Sequence, residues 1–309
     1  MKEKLRLGLL GFGEVGYYYA REFRKAGVDD VVAYNNGSTH RPPYTREYMK
    51  QAEDIGVTLV GTIRELAQGA DIVLSVVTPK GALPAALAAA PFLRAPVIYA
   101  DLNSCSPRDK KAAAAAINAS GGRYVDAALM GFPLNEGLKA LILASGAAAE
   151  EFQEKLGKYG TNVELVDGEV GTPAAMKLLS AILIKGTQSL VFQAVYASHK
   201  AGIDPDFLLQ GMERHIGRAL ASPKGPRALA DNVMGRVGIH AERRIPEMQA
   251  VAEMVKDLGI DPILEEALWK HTAWVSGFAT KDYFGGKMPP NYQSVLEAMD
   301  KAPRPARKA

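Results

Sequence analysis

Short apolar runs alternate with helix-length amphipathic stretches over the first half of the chain. The runs at 5–10, 31–34, 57–60, 71–77, 97–101, 124–127 and 140–143 read as strands, the first of them buried. Glycine punctuates the helical stretches: the first closes at Ala26-Gly27. Thr62-Ile63-Arg64-Glu65 reads as a capping box, and Ser106-Pro107 opens an alanine-rich helix. After a last strand-like run at 162–166 the pattern becomes helical only. Its longest member lies between Gly171 and Gly202, with Thr172 suited to cap it and Pro173 to its first turn. About 29 residues there make a helix of about 43 Å. It is apolar on nearly every face, through Leu178, Leu179, Ile182, Leu183, Ile184, Leu190, Val191, Phe192 and Val195. Such a helix is expected to be buried all round, at a junction of domains and of subunits. Lys177, Lys185, Gln188, Gln193 and His199 interrupt it, which argues against a membrane span. Further helices are expected over 205–216, 227–234, 238–258 and 262–278, with a break at 222–226. The prolines at 289–290, 303 and 305 suggest an irregular arm and a frayed end.

At 309 residues, this pattern predicts two domains: an α/β domain over 1–168 and an all-helical domain over 169–309. The single cysteine, Cys105, excludes an intrachain disulfide framework and fits a reducing cytoplasm; it reads as a packing residue. No segment at the start of the chain reads as a signal peptide. The net charge of +3 is carried by the last 29 residues, where six Lys/Arg face three acids. The body of the chain is therefore balanced, and without a basic stripe nucleic acid is not an expected partner.

The first strand runs straight into Gly11-Phe12-Gly13-Glu14-Val15-Gly16, and a helix follows. In this spacing the first glycine makes a tight turn, the second lets a pyrophosphate approach the backbone, and the third lets helix and strand pack closely. The helix N-terminus offers free N–H groups to the phosphates. The end of the second strand selects the cofactor. An acid there would bind the ribose 2′-hydroxyl of NAD, but the residues are Asn35-Asn36-Gly37-Ser38-Thr39-His40-Arg41. Asn35, Ser38 and Thr39 can donate hydrogen bonds and Arg41 can pair with a phosphate, with Asn36 beside them in the expected cofactor site. NADP is the expected cofactor, with NAD as the alternative.

Lys177 sits one turn into the long helix, on the face of Ser180, Ala181, Ile184 and Gln188. Burial there would lower its pKa, while a lysine at a helix start can equally snorkel to water. In the second domain His240, Arg243, Arg244 and Glu247 fall at i, i+3, i+4 and i+7 of one helix. They suit an anionic substrate, or an ordinary solvated face with a weak Glu–Arg pair.

Together these motifs resemble the β-hydroxyacid dehydrogenase family, which includes 3-hydroxyisobutyrate and 6-phosphogluconate dehydrogenases. The resemblance runs along nearly the whole chain. Gly11 to Gly16 is similar to the family's dinucleotide fingerprint, and Val77-Thr78-Pro79 and Asn103-Ser104 to its nicotinamide-side loops. Asp126-Ala127-Ala128-Leu129-Met130-Gly131-Phe132 is similar to its substrate segment, usually Asp-Ala-Pro-Val-Ser-Gly-Gly. Gly171 through Lys177 is similar to the start of its catalytic helix. The resemblance implies a Rossmann-type doubly wound parallel sheet followed by an all-α domain. It also implies hydride transfer between NADP(H) and a hydroxy acid or related carbonyl, Lys177 as general acid–base, and a homodimer. Two positions depart from it: the family's serine falls on Met130, and its Asn-Asn pair on Ser180-Ala181. A different substrate is then expected, an organic acid bulkier or less polar near the reacting carbon, met by Met130, Gly131, Phe132 and Ala181, with His240, Arg243 and Arg244 as candidate replacement ligands in a less characterised branch. Ser180 would orient Lys177 or the substrate hydroxyl. Imine reduction on the same scaffold, and a catalytically inactive NADP-binding sensor, are the competing readings.

Overall fold

The computed structural model describes residues 4–37, 40–131 and 133–303. In the first half β1 (Arg6–Leu10), α1 (Glu14–Lys25), β2 (Asp30–Tyr34), α2 (Arg46–Glu53), β3 (Thr58–Leu59), α3 (Ile63–Gln68), β4 (Ile72–Ser75), α4 (Ala82–Ala89), β5 (Ile98–Asp101) and α5 (Pro107–Ala119) alternate. Then come β6 (Arg123–Leu129), α6 (Pro133–Glu136), β7 (Ile142–Ser145), α7 (Ala149–Gly157) and β8 (Val163–Leu165). The strands form one sheet in the order β3-β2-β1-β4-β5-β6-β7-β8. All neighbours are parallel except β6 and β7. The chain reverses direction across the sheet between β1 and β4, the switch point at whose carboxyl ends a doubly wound sheet opens a ligand crevice.

Side-chain alternation builds the two layers. Leu7 and Leu9 of β1, with Ile72 and Leu74 of β4, join Tyr19 and Phe23 of α1 on one face. Leu10 and Val73 face the other way, onto Leu66, Leu93 and Tyr99. Each of these side chains is essentially sealed from water, which is what the continuous apolar runs require of a sheet covered on both sides. Ser106 caps α5 by accepting from the Asp109 N–H. Only half of the expected capping box forms: Thr62 accepts from the Glu65 N–H, whereas the Glu65 carboxylate takes the Gly61 N–H.

The remainder is helical: α8 (Thr172–Lys200), α9 (Pro205–Met212), α10 (Arg218–Leu220), α11 (Pro226–Asp257), α12 (Ile263–Ser276), α13 (Thr280–Tyr283) and α14 (Tyr292–Lys301). Two compact units result, Met1–Leu183 and Ile184–Ala309, so α8 begins in one and ends in the other.

Four expectations need correction. The segments at 227–234 and 238–258 are one helix, α11, because Gly235 and Gly238 admit neighbours instead of ending it. A Cβ on Gly235 would lie 3.0 Å from Met288 Cε, and one on Gly238 would lie 3.1 Å from Thr280 Oγ1. The Thr280 hydroxyl donates to the Gly238 carbonyl at 2.6 Å. The arm after Pro290 is not irregular: Asn291 caps α14 by accepting from the Ser294 N–H. Thr172 does not cap α8, since the helix starts at Thr172 itself. Finally, α8 is not buried all round within the chain. Leu179, Ile182, Leu183 and Phe192 are 63%, 68%, 73% and 73% exposed. Among the described residues it is the one helix long and apolar enough to cross a membrane, with a mean hydropathy of 1.4 over its most apolar stretch.

Candidate active site

The turn between β1 and α1 is shaped as its glycines require. Gly11 has φ +106°, and a Cβ there would lie 2.5 Å from the Val76 carbonyl oxygen. At Gly16 a Cβ would stand against the Gly11 oxygen, so the third glycine lets α1 close onto the turn. Gly13 differs: nothing lies within 4 Å of the place a Cβ would take. It precedes α1 without any side-chain cap. The first amides of α1 have no partner within the helix, and the positive end of the helix dipole lies behind the exposed Gly13 and Glu14. That is the fit a pyrophosphate needs.

Beside this turn lies a hollow of about 280 Å³ lined by Phe12, Gly13, Glu14, Tyr17, His40 and Tyr48, among others. The Tyr48 hydroxyl donates to Phe12 O at 2.5 Å and accepts from Asn35 Nδ2 at 2.8 Å, and the Tyr44 hydroxyl accepts from the Asn35 N–H at 3.0 Å. One donor of the Asn35 amide is thus spent inside the protein. The His40 ring stacks on Tyr48 at 4.0 Å, and its Nδ1 is buried without a partner. Burial raises the pKa of both tyrosines, which keeps them as hydroxyl donors. Asn36 and Arg41 are exposed at the same end of β2; Ser38 and Thr39 lie outside the described residues. Tyr44, Tyr48 and His40 were not singled out from sequence. Tyr48 was hidden in α2, a helix the apolar pattern did not announce.

The next loops along this edge leave β4 and β5. Val77 is half-buried, and Thr78 and Pro79 are exposed. Asn103 is turned inward: its N–H donates to Asp101 Oδ1 at 2.9 Å, and its Nδ2 donates to Asp101 Oδ1 and to Ser75 Oγ. Its Oδ1 is buried and unpartnered. Ser104 is half-buried beside it. Cys105 is buried, and burial pushes its thiol up to about 11, the behaviour of a packing residue rather than a nucleophile.

Lys177 does not simply point to water. It is half-buried, and its Nζ donates to the carbonyl of Leu129 at 2.5 Å. Leu129 ends β6, which runs parallel to β5, so this lysine is held at the same carboxyl edge as the loops after β1, β4 and β5. Met130 and Gly131 follow directly, both half-buried, and Phe132 lies outside the described residues. The Glu136 carboxylate folds over Gly131 so closely that a Cβ there would collide with it. Ser180 does not reach Lys177 Nζ: its hydroxyl donates to the Lys177 carbonyl, along its own helix. Ala181 is half-buried one residue on.

His240, Arg243 and Arg244 lie on α11, in the second unit. His240 and Arg244 are half-buried and Arg243 is exposed. Among the described residues no ion pair joins Glu247 to either arginine, so the bland surface pair is absent. No group of acids, histidines and cysteines suited to a metal occurs among the described residues.

Comparison with known proteins bears on this geometry. Residues 6–166 match the family described as the NAD binding domain of 6-phosphogluconate dehydrogenase, and residues 199–275 match a domain of unknown function, DUF1932. The chain is 26% identical over 215 residues to the 2-hydroxy-3-oxopropionate reductase of Escherichia coli, covering 65% of this chain and 68% of that protein. It is 31% identical to the conserved protein MTH1747, whose structure is described as similar to 3-hydroxyacid dehydrogenases. That match covers 92% of this chain and all of the other, with a TM-score of 0.56. An imine reductase from Myxococcus stipitatus, solved with NADP+, shares the fold at 17% identity with a TM-score of 0.70 over 96% of this chain and 100% of its own. The glycine turn, the switch-point crevice and these matches agree: the chain belongs to the NAD(P)-binding family of 6-phosphogluconate dehydrogenase, 3-hydroxyacid dehydrogenase-like in fold, and carries a DUF1932 domain at its C-terminal side.

Proposed function

We propose that this protein is an NADP(H)-dependent oxidoreductase acting on a small hydroxy acid or related carbonyl, with Lys177 as its general acid–base. The observation that carries the reading is the Lys177–Leu129 hydrogen bond, which pins an amine beside Met130-Gly131 at the crevice edge. Gly11 to Gly16 would hold the pyrophosphate, the β2 end with Asn36 and Arg41 the adenosine phosphate, and Val77 to Pro79 with Asn103-Ser104 the nicotinamide. When bound, the nicotinamide supplies or accepts the hydride. Lys177 gives a proton to the carbonyl oxygen in reduction and takes the hydroxyl proton in oxidation. The Leu129 carbonyl fixes where its ammonium sits, and that charge stabilises a developing alkoxide. Met130 and Ala181 leave the pocket short of polar ligands, and His240 with one of the two arginines, Arg243 or Arg244, would meet a carboxylate. A second copy of the chain covers the apolar α8: Lys185, Gln188 and Gln193 interrupt the helix, which suits a protein partner better than lipid. A single buried thiol suits the cytoplasm.

The test is turnover of the purified chain with NADPH on keto acids, aldehydes and imines, and with NADP+ on hydroxy acids, repeated with Lys177→Met. The variant should lose about 10²–10⁴-fold in kcat while its NADPH affinity stays within about threefold. Unchanged turnover in the variant rejects Lys177 as acid–base. No turnover of the wild type on any substrate, with NADPH bound, supports the sensor reading instead.

A further inference from the structure

The carboxyl ends of β5 and β6 enclose a cluster of charges with no access to solvent. Asp101 and Asp126 are direct neighbours in the parallel β5–β6 register, and both are fully buried. Lys110, in the first turn of α5, is fully buried as well. Its Nζ lies 3.1 Å from Asp101 Oδ1 and 3.2 Å from Asp126 Oδ1. The same ammonium donates to the carbonyls of Asp101 and Ala127. Tyr124 donates its hydroxyl to Asp101 Oδ2 at 2.9 Å. Two carboxylates side by side in a dry interior repel, and the ammonium placed between them offsets that repulsion. An apolar packing of the same volume would be no less stable, so the cluster calls for a role.

The two carboxylates also accept hydrogen bonds from two parts of the candidate site. Asp101 Oδ1 takes both the backbone and the side-chain N–H of Asn103, and Asn103 ties on to Ser75 at the end of β4. Asp126 Oδ2 takes the N–H of Gly171 at 2.7 Å. Gly171, at φ +104°, turns the chain into α8 and so aims Lys177. One cation thus holds the nicotinamide-side loop and the entry to the Lys177 helix in a single frame. We propose that Lys110 is a positioning residue for the reaction, acting through Asp101 on Asn103-Ser104 and through Asp126 on Gly171. The proposal rests on the oxidoreductase reading above.

Two variants separate positioning from mere support. Lys110→Met keeps the aliphatic stem and removes the charge. Asp126→Asn is isosteric, but it removes the charge that faces Lys110 and sets an –NH2 against either the Lys110 ammonium or the Gly171 N–H. The full-length chain is titrated with NADPH and with 2′-phospho-ADP-ribose, which lacks the nicotinamide, and likewise with NADH and ADP-ribose. The wild type should bind the whole cofactor about tenfold tighter than the fragment. Both variants should reduce that gap to about twofold or less, with fragment affinity unchanged within about twofold. Whole cofactor and fragment weakened equally, neither weakened, or no gap in the wild type would each overturn the proposal. Should Lys110→Met not fold, Asp126→Asn decides by the same criterion. A wild type that binds none of the four ligands refutes the oxidoreductase reading itself, a different outcome from any of these.

Discussion

The glycines after β1 allow binding and folding to be separated. At Gly13 the backbone has φ −85° and ψ −158°, open to any residue, and an added Cβ meets nothing within 4 Å. Gly13→Ala loses a little as a cap and gains a little from a less flexible unfolded chain, about a few tenths of a kcal/mol each way. Its Tm should therefore stay within about 2 °C of the wild type. The new methyl, however, projects into the space that the first amides of α1 open to. Loss of one charge-assisted hydrogen bond to a phosphate costs about 1.5–3 kcal/mol, which raises the Kd for NADPH by about 10–150-fold. Gly16→Ala should do the reverse in order of severity. Its Cβ collides with the Gly11 carbonyl oxygen and also presses on Val76 Cγ2 at 3.4 Å. Backbone cannot yield as a side-chain tip can, so overpacking of about 1–3 kcal/mol is expected. At about 2–4 °C per kcal/mol, Tm should fall by about 2–12 °C. Fluorescence titration with NADPH and a thermal melt of each variant supply both numbers. Undiminished NADPH binding by Gly13→Ala would show that this turn is not a phosphate cradle, whatever its sequence.

Further outcomes follow from single side chains. Arg244, half-buried where Arg243 is exposed, should be the arginine that matters: Arg244→Ala should raise KM for an acidic substrate about tenfold or more. Arg243→Ala should leave it nearly unchanged, and steady-state kinetics giving the opposite order would move the anion ligand elsewhere. Cys105, whose thiol burial pushes up to about 11 from 9.0, should be alkylated at pH 8 about a hundredfold faster in urea than in the native chain. Because the folded value lies above the unfolded one, the stability this thiol contributes is complete below about pH 9 and is lost as pH rises through about 11; melts across that range check the sign. Ile182→Glu, on the exposed apolar side of α8, should halve the mass seen by light scattering, and an unchanged mass would place the subunit contact on another surface.

Local chemistry made the first unit legible. Each strand of the doubly wound sheet announced itself by an apolar run, and Gly11, Gly13 and Gly16 sit where a tight turn, an open approach and a close packing need them. The second unit was read less well, because its glycines answer to distant neighbours. Gly238 reads as a helix start until Thr280, 42 residues on, is found donating to its carbonyl. The composition of α8 says that its faces want cover but not from what. Its exposed Ile182 and Phe192 lie on a helix that a single chain leaves uncovered.

The charged cluster marks the limit of reading without register. Asp101 and Asp126 each end or interrupt an apolar run, and alone each reads as a polar residue at a strand edge. The β5–β6 pairing sets them opposite one another, and two neighbouring buried carboxylates require a cation. Lys110 meets that need from nine residues beyond Asp101, in a helix start where a lysine looks like ordinary solvated surface. Its exposure is nil. Register and burial together turn three unremarkable positions into one electrostatic unit. That unit touches both Asn103 and Gly171, so the loop after β5 and the entry to the Lys177 helix share one buried charge that Lys177 itself does not contact.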